Sequence, residues 1–150
     1  MFDLHELYQE IVMDHNRHPR NFRELQGDIS TAEGFNPLCG DQVKIYIRLK
    51  NEQISDISFQ GSGCAISKAS ASMLTDTING MTVKEATETF ESFRNMLIKT
   101  PENQVTDELP GDLSVLSGVS QYPARIKCAV LAWHTLDSAL HGKKKPITTE

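Results

Sequence analysis

The sequence predicts an α+β domain in which helices pack on one face of a small antiparallel β-sheet. Apolar residues recur at helical spacing near both ends of the chain, and they alternate with polar residues from Val43 to Lys50. The predicted strands and helices are segregated along the chain, which favours an antiparallel sheet covered by helices. The chain has 150 residues, 39% of them hydrophobic, and no internal repeat. We therefore expect a single domain over residues 1–150, with a flexible tail from about residue 142.

The first predicted elements are a helix and a hairpin. An apolar stripe over residues 3–15 predicts an amphipathic helix, which should end where His18 precedes Pro19. The alternation over residues 43–50 predicts a half-buried strand, and residues 54–59 predict an antiparallel partner strand.

Three further helices are predicted in the second half of the chain. Residues 64–78 form the first, which stops at an Asn-Gly pair, and a capping box opened by Thr82 begins the second. Residues 100–112 are typical of an acidic surface loop. The last helix should start near Pro123, because proline suits a first turn, and run to Gly142. The large side chains assigned to the core are Met73, Phe93 and Trp133.

The composition excludes several classes of function. A net charge of −5 argues against nucleic acid as the main partner, because phosphate binding needs a basic face. The basic run at 143–145 is interpreted as a solvated end. No apolar stretch approaches the ~20 residues of a membrane span, and the N-terminus has no secretory pattern. The three cysteines cannot all pair. We expect a cytoplasmic protein, with no nucleic-acid or membrane partner, whose thiols are free or bound to metal.

Cys39 and Asp41 are the first candidate pair of metal ligands. In an extended segment, residues i and i+2 point to the same side, and Gly40 between them lets the backbone approach a ligand closely. Cys64 is expected at a helix N-terminus, where the dipole favours the thiolate and so lowers the thiol pKa.

Cys128 is expected in the opening turns of the last helix. Arg125 and Lys127 lie near it in sequence, and nearby positive charge also lowers a thiol pKa. Arg125 is the basic residue expected to support the site, by pairing with Asp41 or a thiolate. The alternative for Arg125 is an ordinary surface salt bridge.

Three thiolates and one carboxylate would make a complete tetrahedral set for zinc. The spacing alone does not decide this, because there is no C-x-x-C pair and free cysteine is commonly a small buried hydrophobe. The Pro/Gly loop around Cys39 and the Gly-Ser-Gly turn before Cys64 favour a metal site over a core position.

His15 and His18 are interpreted as complementing the dipole of the first helix rather than sharing a metal. The remaining histidines of the last helix, expected on the surface, are His134 and His141.

Several motifs together resemble a known family. They are P-x-C-G-D (37–41), G-x-G-C-x-I-S (61–67), S-A-S-M (70–73), P-A-R-I-K-C (123–128) and, near the N-terminus, M-D-H-N-R-H-P-R-N (13–21). The combination resembles the IscU-like proteins of iron–sulfur cluster biogenesis and looks most similar to their SufU branch. The match covers essentially the whole chain, and it implies the IscU/SufU-like fold.

Two departures from the IscU scaffolds favour the SufU branch. The scaffolds have a histidine that helps to hold metal directly before their last motif cysteine, where this chain has Lys127. Lysine stays protonated at neutral pH and is not a practical ligand. The stretch between Cys64 and Cys128 is also longer than in the scaffold branch.

The resemblance implies a zinc-dependent sulfurtransferase. A pyridoxal-phosphate-dependent cysteine desulfurase of the SufS type would pass persulfide sulfur to Cys39, and downstream iron–sulfur scaffold proteins would receive it. The implied zinc ligands are Cys39, Asp41, Cys64 and Cys128. A carboxylate is a harder ligand than a thiolate, so Asp41 is expected to make the site easier to open and to assist Cys39.

Two alternatives remain open. The same three cysteines and Asp41 could hold a [2Fe–2S] cluster, since thiolates also bind iron–sulfur clusters, and the chain would then be an assembly scaffold. In the other alternative, zinc is purely structural and no thiol reacts.

Overall fold

The computed structural model describes residues 4–98, 109–142 and 147–148. Four α-helices, four strands and one 3₁₀ segment lie in these ranges. In chain order they are α1 (Leu4–Arg17), β1 (Ser30–Asn36), β2 (Asp41–Lys50), β3 (Gln53–Ser62), α2 (Ala65–Ile78), α3 (Val83–Leu97), the 3₁₀ segment (Leu113–Gln121), α4 (Pro123–Leu140) and β4 (Ile147–Thr148).

The sheet has the strand order β3-β2-β1-β4. β1 and β3 both pair with β2 in the antiparallel direction, and the two-residue β4 runs parallel to β1. Helices α2 and α4 pack on one face of this sheet, α1 packs on α2, and α3 packs on the 3₁₀ segment and α4. The predicted α+β class, with helices on one face of a small antiparallel sheet, is confirmed.

Strand β1 was not predicted from the sequence. Its inward positions are Ala32, Gly34 and Asn36, which are too small or too polar to give an apolar alternation. A Cβ at Gly34 would lie 2.1 Å from Thr135 Oγ1, so α4 crosses β1 at a distance that only glycine allows.

The core lies between the sheet and the helices. Trp133 is fully buried and stacks on Phe93 with ring centroids 4.6 Å apart, and its Nε1–H donates to Ser70 Oγ at 3.1 Å. Met73 and Phe93 are also buried, which confirms the three predicted core positions.

The predicted helix signals are confirmed in most cases. Helix α1 ends at Arg17, just before the His-Pro pair, and α4 begins at Pro123. The capping box of α3 forms as predicted: the Glu85 N–H donates to the Thr82 hydroxyl at 3.1 Å, and the Thr82 N–H donates to the Glu85 carboxylate at 3.1 Å.

Other predictions fall partly outside the described residues. Of the predicted acidic loop at 100–112, residues 109–112 are described, and they lead into the 3₁₀ segment, which the sequence did not predict. Most of the predicted tail from about residue 142, including the basic run at 143–145, also lies outside; within it, Ile147 and Thr148 form β4. Over the described ranges, no helix combines the length and the hydropathy that a membrane span requires.

Two histidines are more buried than a surface position requires. His15 lies in the last turn of α1 but is only 2% exposed, and its Nδ1 is 2.7 Å from the Ser72 hydroxyl. His134 is half-buried with its ring edge-on to Phe90, so it lies only partly at the surface. His141 is exposed, as predicted.

Candidate metal centre

The first two candidate ligands lie at the turn between β1 and β2. Residues 37–40 form a turn rather than the extended segment that was predicted, and Gly40 adopts φ +70°, in the left-handed region. The turn leaves Cys39 exposed and places Asp41 as the buried first residue of β2. Within this turn, the Cys39 N–H donates to the Asn36 carbonyl oxygen at 3.3 Å. The two side chains therefore reach one site by a turn and not by strand alternation.

Cys64 is the N-cap residue of α2. Its Sγ accepts the Ser67 N–H at 3.4 Å, and its own N–H donates to Asp41 Oδ1 at 2.8 Å. Gly63 before it adopts φ +138°, and a Cβ there would lie 2.3 Å from Asp41 Oδ1. The glycine therefore allows the start of α2 to close over the carboxylate.

Cys128 lies in the second turn of α4 and provides the third thiol. Its Sγ lies 3.5 Å from Cys39 Sγ, and the ligand atoms of Cys39, Asp41 and Cys128 all lie within 4.8 Å of one another. Cys64 Sγ is 3.8 Å from Asp41 Oδ2. The fold thus brings Cys39, Asp41 and Cys128 into one cluster, and Cys64 lies outside that cluster but next to Asp41. The role of these four side chains as metal ligands stays a prediction.

The donor set fits a zinc ion. Tetrahedral zinc with Zn–S bonds of ~2.3 Å places its ligand atoms ~3.8 Å apart. The Cys39–Cys128 separation of 3.5 Å and the Cys64–Asp41 separation of 3.8 Å are close to this value. The Asp41 carboxylate is 1% exposed, and the ion pairs found among the described residues do not include it. A buried carboxylate surrounded by thiols is costly unless positive charge compensates it. A divalent cation would supply that charge.

The protein environment gives the Cys64 and Cys128 thiols different pKa values. The pKa of Cys64 is lowered to about 7, first because the Cys128 thiol donates to its sulfur, and also because backbone N–H groups do. The pKa of Cys128 is raised, because it donates to Cys64 and is buried. The direction predicted for the pKa of Cys64 is confirmed, but its first cause is the Cys128 thiol rather than the helix dipole. The prediction that Arg125 and Lys127 lower the pKa of Cys128 is wrong, because that pKa is raised.

Arg125 lies at the edge of the site. Its guanidinium stacks over the Tyr122 ring, 5.0 Å from the centroid, and makes a hydrogen bond with the Tyr8 side chain. Within the part of the chain that the structure describes, no ion pair joins Arg125 to Asp41. Arg125 also lines a cavity of about 470 Å³ that opens beside the thiols. The other residues of this groove that matter below are Tyr8, Met13, Cys39, Cys64 and Cys128.

Sequence reasoning missed Asn36, which touches two of the candidate ligands. Its Nδ2 lies 3.1 Å from Asp41 Oδ2 and 3.4 Å from Cys128 Sγ. The only signal in the sequence is an asparagine before a proline, and that is typical of any turn.

Known proteins share this sequence and fold. Residues 7–141 match the family described as NifU-like N terminal domain. The chain is 38% identical over 137 residues to a Streptococcus pyogenes serotype M1 protein named iron–sulfur cluster assembly scaffold protein IscU, covering 91% of this chain and 84% of that one. It is 37% identical over 138 residues to a Bacillus subtilis protein named zinc-dependent sulfurtransferase SufU, covering 92% of each.

A solved structure from Fervidobacterium islandicum AW-1, whose name proposes an iron–sulfur cluster assembly scaffold for the SUF system, superposes with a TM-score of 0.81 at 34% identity. The superposition covers 91% of this chain and 98% of that one. The resemblance to IscU-like and SufU proteins is therefore confirmed, and the chain belongs to the family of NifU-like N-terminal domains.

Proposed function

We propose that this protein is a zinc-binding sulfurtransferase that accepts persulfide sulfur from a cysteine desulfurase of the SufS type for iron–sulfur cluster assembly. The observation that carries the proposal is an asymmetry of the site. Cys39 is exposed on a turn, while its neighbours Asp41 and Cys128 are buried. One thiol can therefore reach a partner while the others hold the site together.

The reaction proposed for Cys39 is a sulfur transfer without net oxidation or reduction. The Cys39 thiolate attacks the outer sulfur of the partner's persulfide. A bond forms between Cys39 Sγ and that sulfur, the sulfur–sulfur bond of the partner breaks, and the partner cysteine leaves as a thiolate. The product is a persulfide on Cys39, from which downstream scaffold proteins would take the sulfur.

The four candidate ligands have different roles in this proposal. Cys39, Asp41, Cys64 and Cys128 would hold the zinc ion, which when bound would keep the thiols deprotonated and shield them from oxidation. Asp41 is fixed by the Cys64 N–H at 2.8 Å, so it keeps its place when Cys39 turns toward a partner. Thiols kept free or metal-bound need a reducing compartment, which supports the expectation of a cytoplasmic protein.

The groove beside the thiols is the proposed approach for the desulfurase. Tyr8 and Met13 from α1 line it together with the exposed Arg125. The Arg125 guanidinium would offset negative charge on the incoming persulfide, so that the Cys39 thiolate could approach its outer sulfur.

The second candidate is a scaffold on which a [2Fe–2S] cluster is assembled. The relative named IscU is as similar to this chain as the relative named SufU, and three thiols with one carboxylate would suit a cluster. The sulfurtransferase is preferred because Lys127, protonated at neutral pH, stands where the scaffold motif has its histidine.

Metal analysis and a desulfurase assay separate these candidates. Protein purified without added metal should contain near-stoichiometric zinc, lack visible iron–sulfide absorption, and stimulate a SufS-type desulfurase. Iron with sulfide absorption would favour the scaffold. Zinc together with an unchanged desulfurase turnover would leave only a structural zinc module.

A further inference from the structure

We propose that Asn36 is a positioning residue of this metal centre, which fixes the Asp41 carboxylate and weakens the Cys128 sulfur as a donor. The inference rests on the proposed function, because it takes Asp41 and Cys128 to be metal ligands. It assigns a role to a side chain that is not itself a ligand.

Asn36 stands where three elements meet. It is the last residue of β1, pairs with Asp41 across the β1–β2 ladder, and is 0% exposed. Its amide nitrogen has two hydrogens and two acceptors within reach: Asp41 Oδ2 at 3.1 Å on β2 and Cys128 Sγ at 3.4 Å on α4. One side chain therefore ties an oxygen ligand to a sulfur ligand from a different element.

The orientation of the amide follows from the ligands. Its carbonyl oxygen Oδ1 is buried and has no hydrogen-bond partner among the described residues. If the amide were turned over, Oδ1 would lie against the Asp41 carboxylate, two acceptors facing each other. An orphaned buried acceptor is unfavourable, so the two bonds from Nδ2 outweigh it.

These two bonds have different consequences. The bond to Asp41 holds Oδ2 toward the thiols, while the Cys64 N–H holds Oδ1 from the other side, so the carboxylate cannot rotate away. The bond to Cys128 draws electron density from the sulfur, which makes it a weaker and harder donor. The neutral Asn36 amide thus reduces the negative charge on the ligand atoms without adding a positively charged group.

A purely structural Asn36 would stabilise the β1–β2 turn and fill its space, but it would not alter the electronic state of a metal bound by the other residues. The two possibilities therefore differ in a spectroscopic signal. Cobalt(II) in place of zinc gives sulfur-to-metal charge-transfer absorption, whose energy falls when a hydrogen bond to the sulfur is removed.

The test compares Asn36→Leu, which keeps the branched shape with a somewhat larger volume and removes both donors, with Asn36→Ser, which retains a single donor. Ser58→Ala is the matched control, because Ser58 is also fully buried on the sheet and its hydroxyl has no partner within the described ranges. Zinc affinity is measured by chelator competition, and each protein is also loaded with cobalt(II).

We expect Asn36→Leu to bind zinc 10- to 100-fold more weakly, roughly the effect of removing an outer-shell partner, because losing the bond that fixes Asp41 outweighs the stronger donation from Cys128. The cobalt band should shift to longer wavelength. Asn36→Ser should fall between the leucine variant and the wild type, and it decides the question if the leucine variant does not fold. Wild-type affinity and an unshifted band in a folded Asn36 variant would overturn the inference. Failure of the wild-type protein itself to bind zinc would instead refute the proposed function.

Discussion

Replacing Gly63 by alanine adds a methyl group where the structure has no room for one. A Cβ at this position would lie 2.3 Å from Asp41 Oδ1 and 2.7 Å from Asp41 Cα, and the backbone has φ +138°. A non-glycine residue in such a conformation costs ~1–3 kcal/mol, and overpacking costs a further ~1–3 kcal/mol. We therefore expect the free energy of unfolding to fall by roughly 2–6 kcal/mol. Zinc affinity should fall as well, because relief of the clash moves the Asp41 carboxylate.

The matched control is Gly80→Ala. Gly80 also has a left-handed backbone, with φ +90°, but a Cβ there would meet nothing within 4 Å. It should lose only the strain of ~1–3 kcal/mol and keep its zinc affinity. Urea unfolding gives the two free energies, and chelator competition gives the two affinities. If Gly63→Ala matched Gly80→Ala in both, the closure of the α2 start over Asp41 would not be important for the site.

Three further predictions follow from the same geometry. Asp41→Ala should weaken zinc binding more than tenfold and slow sulfur transfer; unchanged zinc content and rate would show that the carboxylate is incidental. In zinc-free protein, alkylation of Cys64 should accelerate as the pH rises through about 7, because its lowered pKa yields the thiolate above that pH, while Cys128 stays slow. Peptide mapping by mass spectrometry would show equal labelling if this were wrong. Trp133→Ala should cost ~3–5 kcal/mol in urea unfolding, as expected for a fully buried aromatic side chain, and a loss below ~1 kcal/mol would contradict its place in the core.

The sequence predicted those elements whose pattern is local. Helix α1 carries an apolar periodicity, and α3 carries its own capping box. In β2 the predicted inward residues Val43, Ile45 and Ile47 are buried, but Tyr46 is buried as well and Leu49 is exposed, so the alternation predicted there is only partly right. Strand β1 carries no such pattern, because its inward positions must be small where α4 crosses it. The glycine at position 34 faces Thr135, about a hundred residues later, and a single sequence does not show that contact.

The candidate site was also only partly predictable from the sequence. Spacing alone did not identify the four candidate ligands, and the resemblance to a family supplied the expectation that they meet. Asn36 escaped notice because its significance depends on contacts with Asp41, five residues away, and Cys128, 92 residues away. Only the three-dimensional arrangement distinguishes it from an ordinary turn residue.

The central claim is that Cys39 accepts sulfur. The direct measurement incubates the zinc-loaded protein with a SufS-type desulfurase and L-cysteine, then locates added sulfur by mass spectrometry of the intact protein and its peptides. We expect one extra sulfur atom on Cys39 in the wild type and none on a folded Cys39→Ser variant. Sulfur on Cys64 or Cys128 instead, or equal sulfur on the variant and the wild type, would contradict it.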